Sequence, residues 1–190
     1  MILLTLLALS LAVALLTGGS LTALARVELR HGYLILVALA LQVLVFSPWW
    51  HSHVAVLGLG NAVYILSLLL IGAPVVRNWR VPGMAILGLG WLSNAIVILA
   101  NGGRMPASLA ALQRAGLVAS REAFEVARVT NSSLIGPDTT LWFLGDVMAI
   151  PSDLPLANVF SVGDVIIALG AAIFVLRCTR LRPLQRDALD

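Results

Sequence analysis

PGMAILGLGWLSNAIVILA, residues 82–100, carries no charged side chain and opens on proline, a residue suited to the first turn of a helix. A helix crossing about 30 Å of hydrocarbon needs roughly 20 mostly apolar residues, and this stretch has that length. Arg77 and Arg80 precede it and NGGRMP, residues 101–106, follows it. Working outward, similar stretches recur at about 2–24, 33–46, 54–73 and 158–176, the second stopped by Pro48 and the third by Pro74. Backbone polar groups in lipid must be satisfied within their own segment, so all five are expected to be helices.

The whole composition agrees. Of 190 residues 60% are apolar and 11% are charged, and the basic residues are all arginine. A soluble domain is about a quarter charged, and this chain lacks the polar surface to face water. Disorder and a disulfide scaffold are excluded too, since the chain is rich in large apolar residues and Cys178 is its one cysteine. That thiol is a spare interfacial group or, less simply, a palmitoylation site. The expected architecture is all-α: a single polytopic membrane helix bundle of about five spans over residues 1–190. A signal peptide is the rival reading of the first segment, which has no basic n-region and is longer than a usual apolar core; a retained helix is preferred.

Arginine placement sets the expected orientation. Arg26 and Arg30 link spans one and two, Arg77 and Arg80 link three and four, and Arg177, Arg180, Arg182 and Arg186 fall in the tail, 177–190. An N-terminus outside and a C-terminus in the cytoplasm put these eight inside. The basic balance is thus topological and calls for no nucleic-acid partner. Membrane lipid, and possible further membrane-protein subunits, are the expected partners.

Residues 101–157 then form a long extracytoplasmic segment. Residues 107–119 and a helix capped by Ser120 read as short amphipathic helices on the membrane surface, with Arg121, Glu125 and Arg128 on one face; docking on a soluble partner is the rival. TTLWFLGDVMAI, residues 139–150, is too short to span and is interrupted by Gly145 and Asp146, so it is expected to dip in and return as a re-entrant segment over a pocket.

Asp164 is the leading candidate for chemistry. A carboxylate at membrane depth is costly and normally faces a bundle interior or a wet cavity. The alternative is that Ser161 and Asp164 cap a helix that begins later. Asp146 would complete a carboxylate pair, one protonated and one ionised, able to divide acid and base roles; a turn residue after Gly145 is its plainer role. Asn101, Gly102, Gly103 and Arg104 are candidate binding residues, because a glycine pair exposes backbone N–H groups and an arginine grips carboxylate or phosphate. Arg104 is expected to reach Asp146 or Asp164. Asn158 and Ser161 complete the candidate polar site. Trp49-Trp50-His51-Ser52-His53 fits a headgroup belt better than a metal site, and no metal or cofactor is expected. Gln42, Asn61, Ser67, Ser93 and Asn94 are expected to bond between helices.

NGGRMP at 101–106, WFLGDVMAIP at 142–151 and NVFSVGDVIIALG at 158–170 resemble an uncharacterised family of small bacterial multi-pass membrane proteins. The resemblance implies a bacterial inner-membrane protein and supplies no reaction. Phe160-Ser161-Val162-Gly163-Asp164 is also similar to the start of the last helix of signal peptidase II, the lipoprotein aspartyl peptidase, and Asn101-Gly102-Gly103 is loosely similar to that family's Asn-x-Gly. This likeness implies a catalytic Asp164. Here Ser161 stands where that family has asparagine, and the second aspartate's Asn-x-x-Asp-Arg is missing, with Asp146 in Gly-Asp-Val instead. The function expected first is an accessory subunit, or a lipid- or peptide-binding module with a polar site at the outer face. An intramembrane aspartyl hydrolase is the alternative and a transporter the third.

Overall fold

The computed structural model describes residues 2–47, 49–50, 59–126 and 131–180. His51 to His53, Arg128 and the tail arginines Arg182 and Arg186 lie outside the described residues. The described chain is mostly helical. The long helices are α1 (Ile2–Leu16), α3 (Tyr33–Val45), α4 (Gly60–Arg77), α5 (Met84–Ala100) and α8 (Val162–Cys178), with a short α2 (Leu21–Ala25) after the first. Two further short helices, α6 (Leu109–Arg114) and α7 (Arg121–Val126), belong to the segment between α5 and α8.

Across the bundle the helices stand in the order α1, α8, α5, α4, α3. Side chains and close backbone approaches set each pairing. Gln42 on α3 donates to the Ser67 hydroxyl on α4 at 3.1 Å. The Trp91 indole of α5 donates to Leu68 O of α4 at 3.1 Å and lies against Gly72. The α5–α8 pair is the closest, because Gly90 meets Gly163 and Ile167, and Gly170 meets Leu87 and Gly83, backbone against backbone. Small residues at such crossings let main chains touch. Ser20 N–H donates to Thr179 O at 2.8 Å, which ties the end of α1 to the end of α8. Asn78 brackets residue 30, accepting from its N–H and donating to its C=O, both at 2.9 Å. This path brings Arg26, Arg30, Arg77, Arg80, Arg177 and Arg180 to one end of the bundle and residues 101–126 and 131–161 to the other.

Several expected boundaries move. The stretch 2–24 is not one helix: it breaks after Leu16 at a turn where Gly18 takes a φ of 86°. The start of the expected 54–73 helix lies outside the described residues, and α4 runs through Pro74 to Arg77. Proline in the last turn costs the one bond its own nitrogen would donate, while Pro74 O keeps the regular helix bond from Asn78 N–H at 3.0 Å. The helix expected from 158 begins at Val162, and residues 158–160 form a strand. The description all-α therefore gives way to mostly helical with short strands.

Three of those strands lie in the expected outer segment 101–157, one of them inside the stretch 139–150 expected to be re-entrant, and the fourth lies at the expected start of the last span. Strand β1 (Met105–Ala107) pairs in parallel with β2 (Ser132–Leu134), and β3 (Met148–Ile150) pairs antiparallel with β4 (Asn158–Phe160). A single bridge between Ala107 and Asp146 joins the two pairs. Between them lies a 3-10 turn, Trp142–Leu144. Gly145 ends this turn in extended backbone, and it lies so close to Pro106 O that a Cβ would not fit. Ala107, Leu112 and Phe124 form the core of this cap. Met105 joins it to Leu68, Val97 and Ile98 of the bundle, with Tyr64, Leu141 and Leu144 packed alongside.

The long helices turn apolar side chains outward at helical spacing. Leu66, Leu69 and Val76 are exposed on α4, Leu89, Leu92, Ile96 and Leu99 on α5, and Val162, Val165 and Leu169 on α8. Ile166, Ile173 and Phe174 on α8 are half-buried. By length and composition α4 is the one described helix long and apolar enough to cross a membrane; three shorter apolar stretches are Thr5–Leu16, Tyr33–Val45 and Met84–Ala100.

Candidate functional site

The candidate residues fall into two groups. The first is a closed polar knot between α5 and the start of α8. Ser161 is fully buried and caps α8: its hydroxyl accepts from Asp164 N–H at 3.0 Å, while its own N–H donates to Asp164 Oδ2 at 3.0 Å. This is a capping box, with the two donors satisfied reciprocally. Asn94, half-way along α5, closes it. Its Nδ2 donates to Asp164 Oδ1 at 2.8 Å, and its Oδ1 accepts from the Ser161 hydroxyl at 2.9 Å. Glycine at 163 is required here, since the Asn94 amide occupies the space a Cβ would take. Asp164 therefore stands in the first turn of its helix, as the cap reading expected, and both of its oxygens are engaged.

Asp146 lies near this knot. Its main chain is fixed on both sides, its N–H donating to Pro106 O at 2.8 Å and its C=O accepting from Ser108 N–H at 3.0 Å. Burial pushes its carboxyl up from the ordinary 3.8 to about 7, and the charge of Asp164 adds to the rise. Both aspartates also act electrostatically on Tyr64 of α4. The structure thus brings the two expected carboxylates into electrostatic range. They differ in setting: Asp164 is held by hydrogen bonds, whereas the Asp146 side chain forms none among the described residues.

The second group lies at the outer end of α4 and α5. Asn101, the C-cap of α5, holds the loop ahead of the 3-10 turn: its Oδ1 accepts from Thr140 N–H at 3.1 Å, and its Nδ2 donates to Thr140 O and Val97 O, each at 2.8 Å. That grip on Thr140 holds the next residue, Leu141, at a φ of 52°, a conformation costing an L side chain about 1–3 kcal/mol. Gly102 and Gly103 have φ of 65° and 84°, and Gly102 O accepts from Asn61 Nδ2 at 2.9 Å. Three of the four Asn-Gly-Gly-Arg residues thus turn the chain out of α5. Arg104 is exposed and makes no ion pair with Asp146 or Asp164 among the described residues, contrary to expectation. It lines instead a cleft of about 490 Å³, together with Asn61, Asn101, Ser133, Asp138 and Thr139. Asn158 lies in neither group; it pairs with Ile150 in β4.

The profile of a family of unknown function matches residues 26–176. The chain belongs to that family, DUF5317. No curated protein and no solved structure matches it. The family agrees with the sequence resemblance in being uncharacterised, and every residue of both groups lies within the matched stretch.

Asn94 and Asn61 were legible as amides in apolar helices. Their contacts, with Asp164 and Gly102, were not. Tyr64 and Asp138 carried no sequence signal: an isolated tyrosine in an apolar run, and an aspartate after Gly136-Pro137 that reads as an ordinary turn.

Proposed function

We propose that this protein is a polytopic protein of the bacterial cytoplasmic membrane, with its N-terminus and the cap over 101–161 outside and its arginine-rich end in the cytoplasm. The observation that carries this reading is the outward apolar stripe on each of three neighbouring helices, α4, α5 and α8. A protein in water rarely exposes apolar patches of more than a few hundred Å², whereas a lipid solvent favours them. A mean hydropathy of +1.00 and the gathering of six arginines at one end support it. The helices are short: 13 residues of α3 rise about 20 Å and 18 of α4 about 27 Å. Local bilayer thinning and snorkelling arginines accommodate such lengths.

Within that frame the protein is a binding module or accessory subunit with a polar site on its outer face. Asp164 supports this, because its carboxylate completes a helix cap and an interhelical bond, a structural use of both oxygens. The aspartyl-hydrolase reading keeps one observation in its favour, an Asp146 carboxyl titrating near neutrality beside Asp164. Asp146→Asn separates the two, since it removes one acid of the pair without breaking the knot, the Asp146 side chain making no hydrogen bond among the described residues. Purified in mild detergent, a folded Asp146→Asn protein that retains its co-purifying lipid or subunit supports the binding role. A folded variant that loses cleavage of a lipoprotein precursor performed by the wild type would overturn it.

A further inference from the structure

Resting on the outer-face binding role, we infer that the cleft beside Arg104 takes a phosphoethanolamine group, with the phosphate on Arg104 and the ammonium on Asp138. Arg104 and Asp138 are exposed charges of opposite sign lining one cleft of about 490 Å³. Among the described residues neither makes an ion pair or side-chain hydrogen bond. A cation and an anion held in one cleft without closing on each other match a ligand with both charges, not a simple anion. The walls supply the remaining donor. The Thr139 hydroxyl accepts from Gly136 N–H at 2.8 Å, which leaves its proton to donate to a phosphate oxygen.

The position of the cleft fits a lipid headgroup. Asn61 stands in the first turn of α4 and Asn101 caps α5, so the cleft opens where the apolar stripes end. Leu99, in the last turn of α5, is exposed, and so are Trp142 and Phe143, just beyond the loop that Asn101 grips. Exposed aromatic side chains at a helix end mark headgroup depth. Acyl chains on the α5 stripe and a headgroup in the cleft can therefore be satisfied together. A soluble phosphoethanolamine compound would use the same charges without the stripe.

The test uses the full chain in detergent, titrated with dihexanoyl phosphatidylethanolamine, dihexanoyl phosphatidylglycerol and free phosphoethanolamine while Trp fluorescence is followed. The ethanolamine lipid is expected to bind most tightly. Arg104→Gln should weaken it about tenfold or more, the scale of one lost charge-assisted pair. Asp138→Asn should abolish the preference over the glycerol lipid. Free phosphoethanolamine binding as tightly as the lipid assigns the site to a soluble ligand of the same chemistry; weaker binding assigns it to lipid. Both variants are exposed and should keep the wild-type circular dichroism and melting temperature. Equal binding of the two lipids to the wild type, with sensitivity to Arg104→Gln, would overturn the zwitterion assignment and leave the outer-face site standing. Failure of all three probes to bind would overturn the assignment, and the binding role itself would fail only if the purified protein also carried no lipid or subunit.

Discussion

The Asn94–Ser161–Asp164 knot and the Arg104–Asp138 cleft are built from the same kinds of residue at the same end of the bundle, yet they use them in opposite ways. In the knot each polar group finds its partner inside the protein, and the glycine at 163 exists to let Asn94 in. In the cleft two charges stay open to the outside. A closed polar set between helices serves assembly, because its groups have nothing left to offer a ligand. An open set adds nothing to the fold and is free to bind. On this contrast, substitutions in the knot should act on stability, and those in the cleft on ligand.

The largest effect is expected from Gly163→Leu. Its side chain would enter the space of the Asn94 amide and the α5 main chain, so overpacking and a broken knot combine. The expected loss is about 3 kcal/mol or more, read as failure to purify folded protein in detergent. A variant that melts like the wild type would show that α5 and α8 do not meet as described.

Next comes pH. Asp146 keeps its proton in the folded chain up to about 7 but only to the ordinary 3.8 when unfolded. Between those values the folded state binds more protons, so stability falls as pH rises from about 4 to about 7 and then levels off. The loss is at most about 4 kcal/mol, from 1.36 kcal/mol per unit. Asp146→Asn should flatten this slope and melt higher than the wild type at pH 8. Thermal melts of both proteins from pH 4 to 8 check it; a wild-type curve that rises with pH, or an unchanged slope in the variant, would place Asp146 elsewhere than in a buried setting.

Asn94→Ala should cost less, about 1–3 kcal/mol, by leaving the Ser161 hydroxyl and one Asp164 oxygen without their partner. Arg104→Gln should change stability by no more than about 0.5 kcal/mol while weakening the ligand. If Arg104→Gln destabilised the chain as much as Asn94→Ala, the contrast between closed and open sites would be lost.

Much of the bundle was legible because hydropathy depends on local composition. The 82–100 stretch emerged as Met84–Ala100. The cap was read less well. TTLWFLGDVMAI has the composition of a helix, but Gly145 lies against Pro106 O and Met148 to Ile150 pair with residues distant in sequence, which no local pattern shows. Asp164 divided along the same line. Its two sequence readings, a carboxylate inside a span and a cap residue at a later helix start, differ by four residues in where the helix begins, and the pairing of 158–160 as a strand decides for the cap. Arg104 was misjudged because attraction between opposite charges was assumed to act across the loop. The structure leaves Arg104 exposed, next to β1 and lining a cleft with Asp138.

The account rests on the two ends of the bundle facing opposite sides of a membrane. Single cysteines test this directly, in a Cys178→Ala background: Asp153→Cys on the cap and Ala25→Cys beside the arginines, both exposed positions. With a membrane-impermeant maleimide, Asp153→Cys should be labelled in intact bacterial cells whose outer membrane admits the reagent, and Ala25→Cys only after the inner membrane is permeabilised. Labelling of Ala25→Cys in intact cells with Asp153→Cys protected, or recovery of both in the soluble fraction, would contradict it.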